Sequence, residues 1–356
     1  MGAGDFAGTM PLSARQRLDV PALERYLAAH LPGLRAPLTV RQFRGGQSNP
    51  TFLLEDGAGV HYVLRKQPDG PLLPSAHAVD REFRVMSALY GTGFPVARPL
   101  HLCADRAVIG TLFYVMGYAA GRNFWDPTLP ELPRAARAAL YDEMNRVLVR
   151  LHTLDYAAAG LSDYGRPGNY FARQITRWSK QYRASETEPI PAMERLLEWL
   201  PANIPADEAT CLVHGDYRLD NMIFAADAER VLAVVDWELS TLGHPLADFA
   251  YHVMIWRVPA GDGHGLAGAD LTQLGIPSEA EYVARYCERT GRAGVEPRVW
   301  EFCIAYNLFR IACIRQGILR RVLEGTAASA HAREAGGRAR ATAELAWRQV
   351  EEHLGG

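Results

Sequence analysis

The sequence predicts an α+β chain, with a small antiparallel sheet on the N-terminal side and a larger, mainly helical C-terminal part. Two observations carry that expectation. Leu38–Phe43, Thr51–Leu54 and Tyr62–Lys66 read as three short strands separated by turns at 44–50 and 56–59, the pattern of a meander. Later in the chain the apolar residues recur at spacings of three and four, as in Leu140, Met144, Val147, Leu148 and Leu151, which is the period of a helix with one buried face.

The elements follow in order. Residues 1–17 are small and polar and are expected to be mobile. Asp19 precedes Pro21, and Leu23, Tyr26, Leu27 and Leu31 share a helical face, so Pro21–His30 reads as a capped helix that stops near Pro32-Gly33. After the meander, Val79–Leu89 reads as a helix and Thr111–Met116 as an apolar strand. Ala135–Leu154 is the first long amphipathic helix, with His152 in its last turn, either a second base or a partner for the helix dipole. Residues 160–170, rich in Gly and Pro, read as a loop, and Met222–Phe224 with Val231–Val235 as a hairpin around a polar turn. Ala247–Trp256 is a helix, and 259–275 a glycine-rich loop. Ser278 and Glu281 form a capping box for a helix through Arg289, and two more helices cover about 297–323 and 341–353.

Composition narrows the class. With 356 residues, 48% hydrophobic and 22% charged, the chain has material for a large core, and a net charge of −2 gives no global attraction to nucleic acid. The five cysteines are dispersed and never spaced Cys-x-x-Cys, which argues against a zinc site or a disulfide framework and for a reducing cytoplasm. No unbroken run of 18 apolar residues and no N-terminal leader pattern is found, so no membrane anchor is expected.

The chemistry is concentrated in His214-Gly215-Asp216-Tyr217-Arg218-Leu219-Asp220-Asn221. Asp216 can accept a hydroxyl proton. Asn221, and Asp236 at the far end of the hairpin, can supply oxygen to Mg²⁺. Together they are the parts of a phosphoryl-transfer site in which the hairpin returns Asp236 beside Asn221.

At these residues the chain resembles the aminoglycoside phosphotransferase and choline kinase-like family, relatives of the protein kinases whose catalytic loop reads His-Gly-Asp-x-x-x-x-Asn. With Asp236-Trp237-Glu238 and Gly243-His244-Pro245-Leu246-Ala247-Asp248, it resembles more closely the branch fused to, or found beside, acyl-CoA dehydrogenases. The resemblance covers about 38–330. It implies a protein-kinase-like two-lobed fold: a nucleotide-binding lobe at 18–116, a hinge at 117–121, and a catalytic and substrate lobe at 122–356. It implies ATP and Mg²⁺ as cofactors and a small molecule as acceptor.

Further roles follow from the resemblance. Gly45, Gly46, Gln47, Ser48 and Asn49 fall where the family covers the nucleotide phosphates, although a glycine pair between strands also serves as a plain hairpin turn. Arg65 aligns with the phosphate-binding cation, usually lysine, and Glu82 with the glutamate that orients it. Lys66 stays open as the alternative cation, because neighbours in a strand face opposite ways. Gly117 and Ala119 would hold adenine through backbone groups. Asp248 would brace the catalytic loop, and His214 is expected to be structural.

The acceptor is less defined. Arg298, Arg310, Arg315, Arg320 and Arg321 on the 297–323 helix, against Glu301 alone, suit an anionic acceptor such as a hydroxyacyl-CoA, with Arg310 and Arg321 on one face; a solvated or ion-paired helix face explains them equally well. An aminoglycoside or other small alcohol is the alternative acceptor. A nucleotide-binding pseudokinase is the alternative of another class, and the intact Asp216, Asn221 and Asp236 speak against it. A functional link to an acyl-CoA dehydrogenase is expected, and the sequence is silent on oligomeric state.

Overall fold

The computed structural model describes residues 8–12, 18–44, 49–70, 77–262, 265–326 and 330–354. They form two compact units, neither continuous in sequence. The first comprises Met1–Val147, Ala157–Leu161 and Arg218–Ser240, the second Leu148–Tyr156, Ser162–Tyr217 and Thr241–Gly356.

The first unit contains β1 (Thr9–Met10), α1 (Val20–His30), β2 (Thr39–Phe43), β3 (Thr51–Glu55), β4 (His61–Lys66), α2 (Val79–Gly91), β5 (Pro99–Cys103), β6 (Phe113–Gly117) and most of α3 (Arg134–His152). Among the described residues the strands make one six-stranded antiparallel sheet in the order β1-β2-β3-β4-β6-β5. Helix α1 begins as its sequence dictates: the Asp19 side chain accepts from the Ala22 N–H at 2.9 Å, and a proline occupies the first turn, where a missing donor costs nothing. Its Leu23 and Leu27 are fully buried in a core with Phe52, Leu54, Leu64, Phe113 and Val115.

Strands β1 and β5 were not visible in the sequence. The first has two residues, and the second opens on a proline and carries His101 at a register shift, so neither shows a clear alternation. Gly117, expected in the hinge, is instead the last residue of β6, paired with Tyr62, and its N–H donates to the Arg98 carbonyl at 2.8 Å.

The hairpin belongs to this unit. β8 (Met222–Phe224) pairs antiparallel with β9 (Val231–Val234) with Met222 opposite Val234, and the Val235 N–H donates to the Asn221 carbonyl at 2.9 Å. Asn221 and Asp236 therefore emerge together from its open end. Arg122 clamps the hairpin by exchanging backbone bonds with Phe224 at 2.7 and 2.8 Å, while its guanidinium donates to the Ala225 and Ala228 carbonyls. Gly121 is required beside it, because a Cβ there would stand 2.1 Å from the Phe224 oxygen. These contacts, with the Val234 N–H donating to the Pro95 carbonyl and Trp237 edge-on to Phe94, group 122–147 and 218–240 with the sheet rather than dividing the chain at 117–121.

The second unit holds the end of α3, then α4 (Tyr170–Ser185), α5 (Pro191–Ala202), β7 (Cys211–Val213), β10 (Thr241–Gly243), α6 (Pro245–Val253), α7 (Leu271–Leu274), α8 (Glu279–Thr290), α9 (Pro297–Leu323), α10 (Ala330–Gly337) and α11 (Ala339–Leu354). β7 and β10 pair antiparallel, Val213 opposite Thr241. The Ser278/Glu281 capping box forms as expected and starts α8. Helix α9 runs through the middle, packed by α4, α6, α10 and α11, and is buried on all sides over Trp300–Arg310. By length and composition it could cross a membrane, although arginines and Glu301 interrupt its apolar run; 67% of its most apolar window is buried inside the fold. All five cysteines are free and buried.

Two buried histidines of this unit make its stability depend on pH. Burial holds His244 and His252 to about 4, down from 6.5, against the opposing pull of Asp207 on the first and of the Tyr217 carbonyl on the second. The unfolded chain takes up these protons first as pH falls, so stability is full above about 6.5 and is lost between 6.5 and 4, by up to about 3 kcal/mol for each histidine. A denaturation midpoint that stayed level from pH 7 to pH 4.5 in the His252→Gln/His244→Gln background, but fell in the unmodified protein, would match this assignment. Equal pH dependence in both would exclude it.

Candidate active site

In the first unit the ionic centre is Arg65. On β4 it is buried, with Nε 2.8 Å from Glu82 Oε2 and Nη2 2.7 Å from Asp236 Oδ1; Glu238 lies 3.5 Å from the same nitrogen. Burial works against the guanidinium charge, but Glu82 and Asp236 outweigh it and hold the proton more tightly than in water. Glu82 projects from α2 and is fixed from three sides, since the Asn49 amide donates to Oε1 at 2.7 Å and the Tyr114 hydroxyl to Oε2 at 3.0 Å. Removing one partner of such a buried pair leaves an uncompensated charge, which costs about 3–5 kcal/mol.

Lys66 faces the other way. It is fully buried and its Nζ pairs with Asp69 at 2.6 Å, so of the two neighbours only Arg65 reaches Glu82 and Asp236. Asn49, expected among the phosphate-covering residues, is buried with its side chain engaged by Glu82 and by His77 Nδ1 at 2.9 Å. Gly45, Gly46, Gln47 and Ser48 lie outside the described residues. Ala119 sits, half-buried, in the irregular stretch just after β6.

Asp236 has φ +67° and ψ +59°, a left-handed conformation that costs a non-glycine residue about 1–2 kcal/mol. The surrounding hairpin holds it there, so the position is kept against a local cost. An Asp and an Asn at the open end of one hairpin are residue types whose oxygens could hold a hard cation such as Mg²⁺.

In the second unit the loop after β7 is built around Asp248. Its two oxygens accept the backbone N–H groups of His214 and Gly215, each at 2.8 Å, and His152 Nε2 donates to Oδ2 at 3.2 Å. Burial would protonate it, but these bonds, led by the one from His152, keep Asp248 below the usual carboxylate range. Gly215 takes φ +83°, open to glycine at little cost, and His214 Nδ1 accepts the Asp216 N–H at 3.2 Å. The expected brace is thus present and His214 is structural. His152 stands in the last turn of α3, where a basic residue faces the helix dipole, and is buried; it carries Asp248 and is itself held at Nδ1 by the Tyr286 hydroxyl at 2.8 Å. Asp216, half-buried, receives a hydrogen bond from the Tyr251 hydroxyl.

The arginines of α9 do not form one anion-binding face. Arg310 is buried and donates to the Gly215 carbonyl at 2.6 Å, whereas Arg321 is exposed; the two stand on one side of the same helix, but that side is enclosed at 310 and open at 321, so they do not make one anion site. Arg298 reaches Asn203, Arg315 reaches Thr342, and Arg320 pairs with Glu324.

A profile described as the phosphotransferase enzyme family, APH, matches residues 39–310. The chain belongs to this phosphotransferase family. Its class is therefore phosphotransferase, on a kinase-like fold. A crystal structure of a Ralstonia eutropha protein provisionally named an aminoglycoside phosphotransferase is 52% identical, with a TM-score of 0.86 over 94% of this chain and 99% of that one. Aminoglycoside phosphotransferase APH(4)-Ia, in a ternary complex with ADP and hygromycin B, shares the phosphotransferase fold at a TM-score of 0.60 and 16% identity, over 92% of this chain and 98% of that one. Acyl-CoA dehydrogenase family member 10 of Mus musculus is 46% identical over 95% of this chain, which spans 32% of that relative's length.

Proposed function

We propose that this phosphotransferase is an ATP- and Mg²⁺-dependent small-molecule kinase, with a hydroxyacyl-CoA as its leading acceptor. The observation that carries the kinase reading is the Arg65–Glu82–Asp236 ion-pair cluster, a cation held for phosphate next to a carboxylate held for metal, in a chain whose braced loop carries Asp216. Asp216 orients the acceptor hydroxyl and takes its proton, and Arg65 seats nucleotide phosphates. Asn221 and Asp236 would hold Mg²⁺, which supplies neutralisation of the phosphate charge. Ala119 and the carbonyl side of Gly117 remain the assigned adenine contacts.

The acceptor rests on the kinship with acyl-CoA dehydrogenase family members alone, since the α9 arginines are committed elsewhere or dispersed. That kinship also supports a functional link to a dehydrogenase of acyl-CoA thioesters. Five free buried cysteines support a reducing, cytoplasmic setting.

The test is Mg²⁺-dependent ATP consumption across hydroxyacyl-CoAs, the free hydroxy acids, choline and aminoglycosides. Turnover confined to the thioesters supports the proposal; turnover only with an amino sugar overturns the acceptor, and none with any acceptor overturns the kinase reading. Within it, Arg65→Gln is expected to weaken nucleotide binding by about tenfold or more, the worth of one charge-assisted contact, and Lys66→Gln by less than about twofold. Calorimetric titration with nucleotide separates them, and equal effects would remove Arg65 from the phosphate site.

A further inference from the structure

We infer that Tyr251, backed by Arg310, is the positioning residue for the base of the reaction; this rests on the reading of Asp216 as that base. The three side chains lie in one unit and are linked without a gap. The Tyr251 hydroxyl donates to Asp216 Oδ1. The Arg310 guanidinium lies over the Tyr251 ring, 4.9 Å from its centroid, and over Trp178 at 5.6 Å, and its Nη2 donates to the carbonyl of Gly215, the residue just before the base.

Nothing in folding alone calls for a cation at this place. Arg310 is 6% exposed, no carboxylate forms a salt bridge with it among the described residues, and its Nε has no hydrogen-bond partner among them. A buried guanidinium that is only partly satisfied costs stability, and apolar groups of similar volume would serve packing better. Its position makes sense through what it does to its neighbours. A positive charge against the phenol ring draws electron density from the hydroxyl and makes it a stronger donor to the carboxylate. The same side chain fixes the carbonyl that sets the backbone at Asp216. Tyr251 thereby fixes one carboxylate oxygen of Asp216, which reduces the orientations the base can take.

Tyr251→Phe removes the hydroxyl and keeps the ring under Arg310. It is expected to lower kcat by about tenfold with KM for both substrates and the melting temperature unchanged, since the bond acts on the base and not on binding. In the Asp216→Asn background the same change is expected to have no further effect, because the residue through which Tyr251 acts is already disabled. An equal loss in both backgrounds, or no loss in the unmodified one, overturns the inference. A readout free of turnover accompanies it: the proton spectrum should show a protected downfield hydroxyl resonance that vanishes in Tyr251→Phe and moves in Asp216→Asn. If the protein proves inactive with every acceptor while that resonance behaves as stated, the kinase reading has failed and the Tyr251–Asp216 coupling stands. If the resonance is missing or insensitive to Asp216→Asn, the coupling itself is refuted.

Discussion

Asp216→Asn is expected to lower turnover by about 10²–10⁴ while leaving nucleotide affinity within about twofold. The substitution is nearly isosteric, and the elements that place residue 216 are not its own side chain. They are Asp248 on the N–H groups of His214 and Gly215, and Arg310 on the Gly215 carbonyl. The amide therefore stays where the carboxylate was, but it cannot take the acceptor proton. Steady-state kinetics with saturating nucleotide measure the loss, and a melting temperature equal to that of the unmodified protein shows that the loop has kept its shape. Turnover within tenfold of the unmodified protein would remove Asp216 from the chemistry.

Asp236→Ala is expected to abolish transfer and to erase the dependence of nucleotide binding on Mg²⁺, because it deletes the carboxylate of the proposed metal site. Stability changes by two separable effects. Arg65 loses one ion-pair partner and retains Glu82 at 2.8 Å, while alanine inherits the left-handed backbone at φ +67°. Asp236→Gly relieves the second effect only, so it should melt above Asp236→Ala and be equally inactive. Asn221→Ala should be milder, since a neutral amide is a weaker ligand for a hard cation. Calorimetric titration of nucleotide with and without Mg²⁺ tests the set; an undiminished Mg²⁺ effect in Asp236→Ala would disprove the metal assignment.

Much of this arrangement was legible because it is local in sequence or follows from strand pairing. The hairpin could be read from two apolar runs around a polar turn, and antiparallel register then requires that Asn221 and Asp236 emerge together. The choice between Arg65 and Lys66 needed the structure, since alternation says that the two diverge but not which side of β4 faces Glu82. The supports of the catalytic loop were less accessible still. His152 meets Asp248 between two helices 96 residues apart, and Tyr251 and Arg310 reach from α6 and α9 into the loop after β7, 35 and 95 residues from their partners; such buried polar contacts leave no periodic mark in the elements that make them. Helix α4, absent from the sequence reading, carries its apolar face at Phe171, Ile175, Trp178 and Tyr182, at spacings of three and four. For the arginines of α9 the composition bias leaves an acceptor site and an ion-paired or solvated face equally open, and only burial and partners separate them: Arg310 is buried on the Gly215 carbonyl and Arg320 is paired with Glu324.

The interleaving of the two units bears on how the protein is made. The sheet-bearing unit lacks Arg218–Ser240 until the ribosome has passed residue 240, by which time all of α4, α5 and β7, which belong to the other unit, have already been synthesised. Until then Arg65 has Glu82 but neither Asp236 nor Glu238, and the Pro95 carbonyl and the Phe94 ring lack their hairpin partners. The nascent N-terminal portion is thus an incomplete object that waits for a distant segment, a closure whose entropy cost grows with the length of the intervening chain. Neither unit corresponds to a fragment that could be cut out and expressed intact. A release of residues 1–147 alone should yield a chain that exposes apolar surface and recruits chaperones, and adding 218–240 in trans should restore part of its protection from proteolysis.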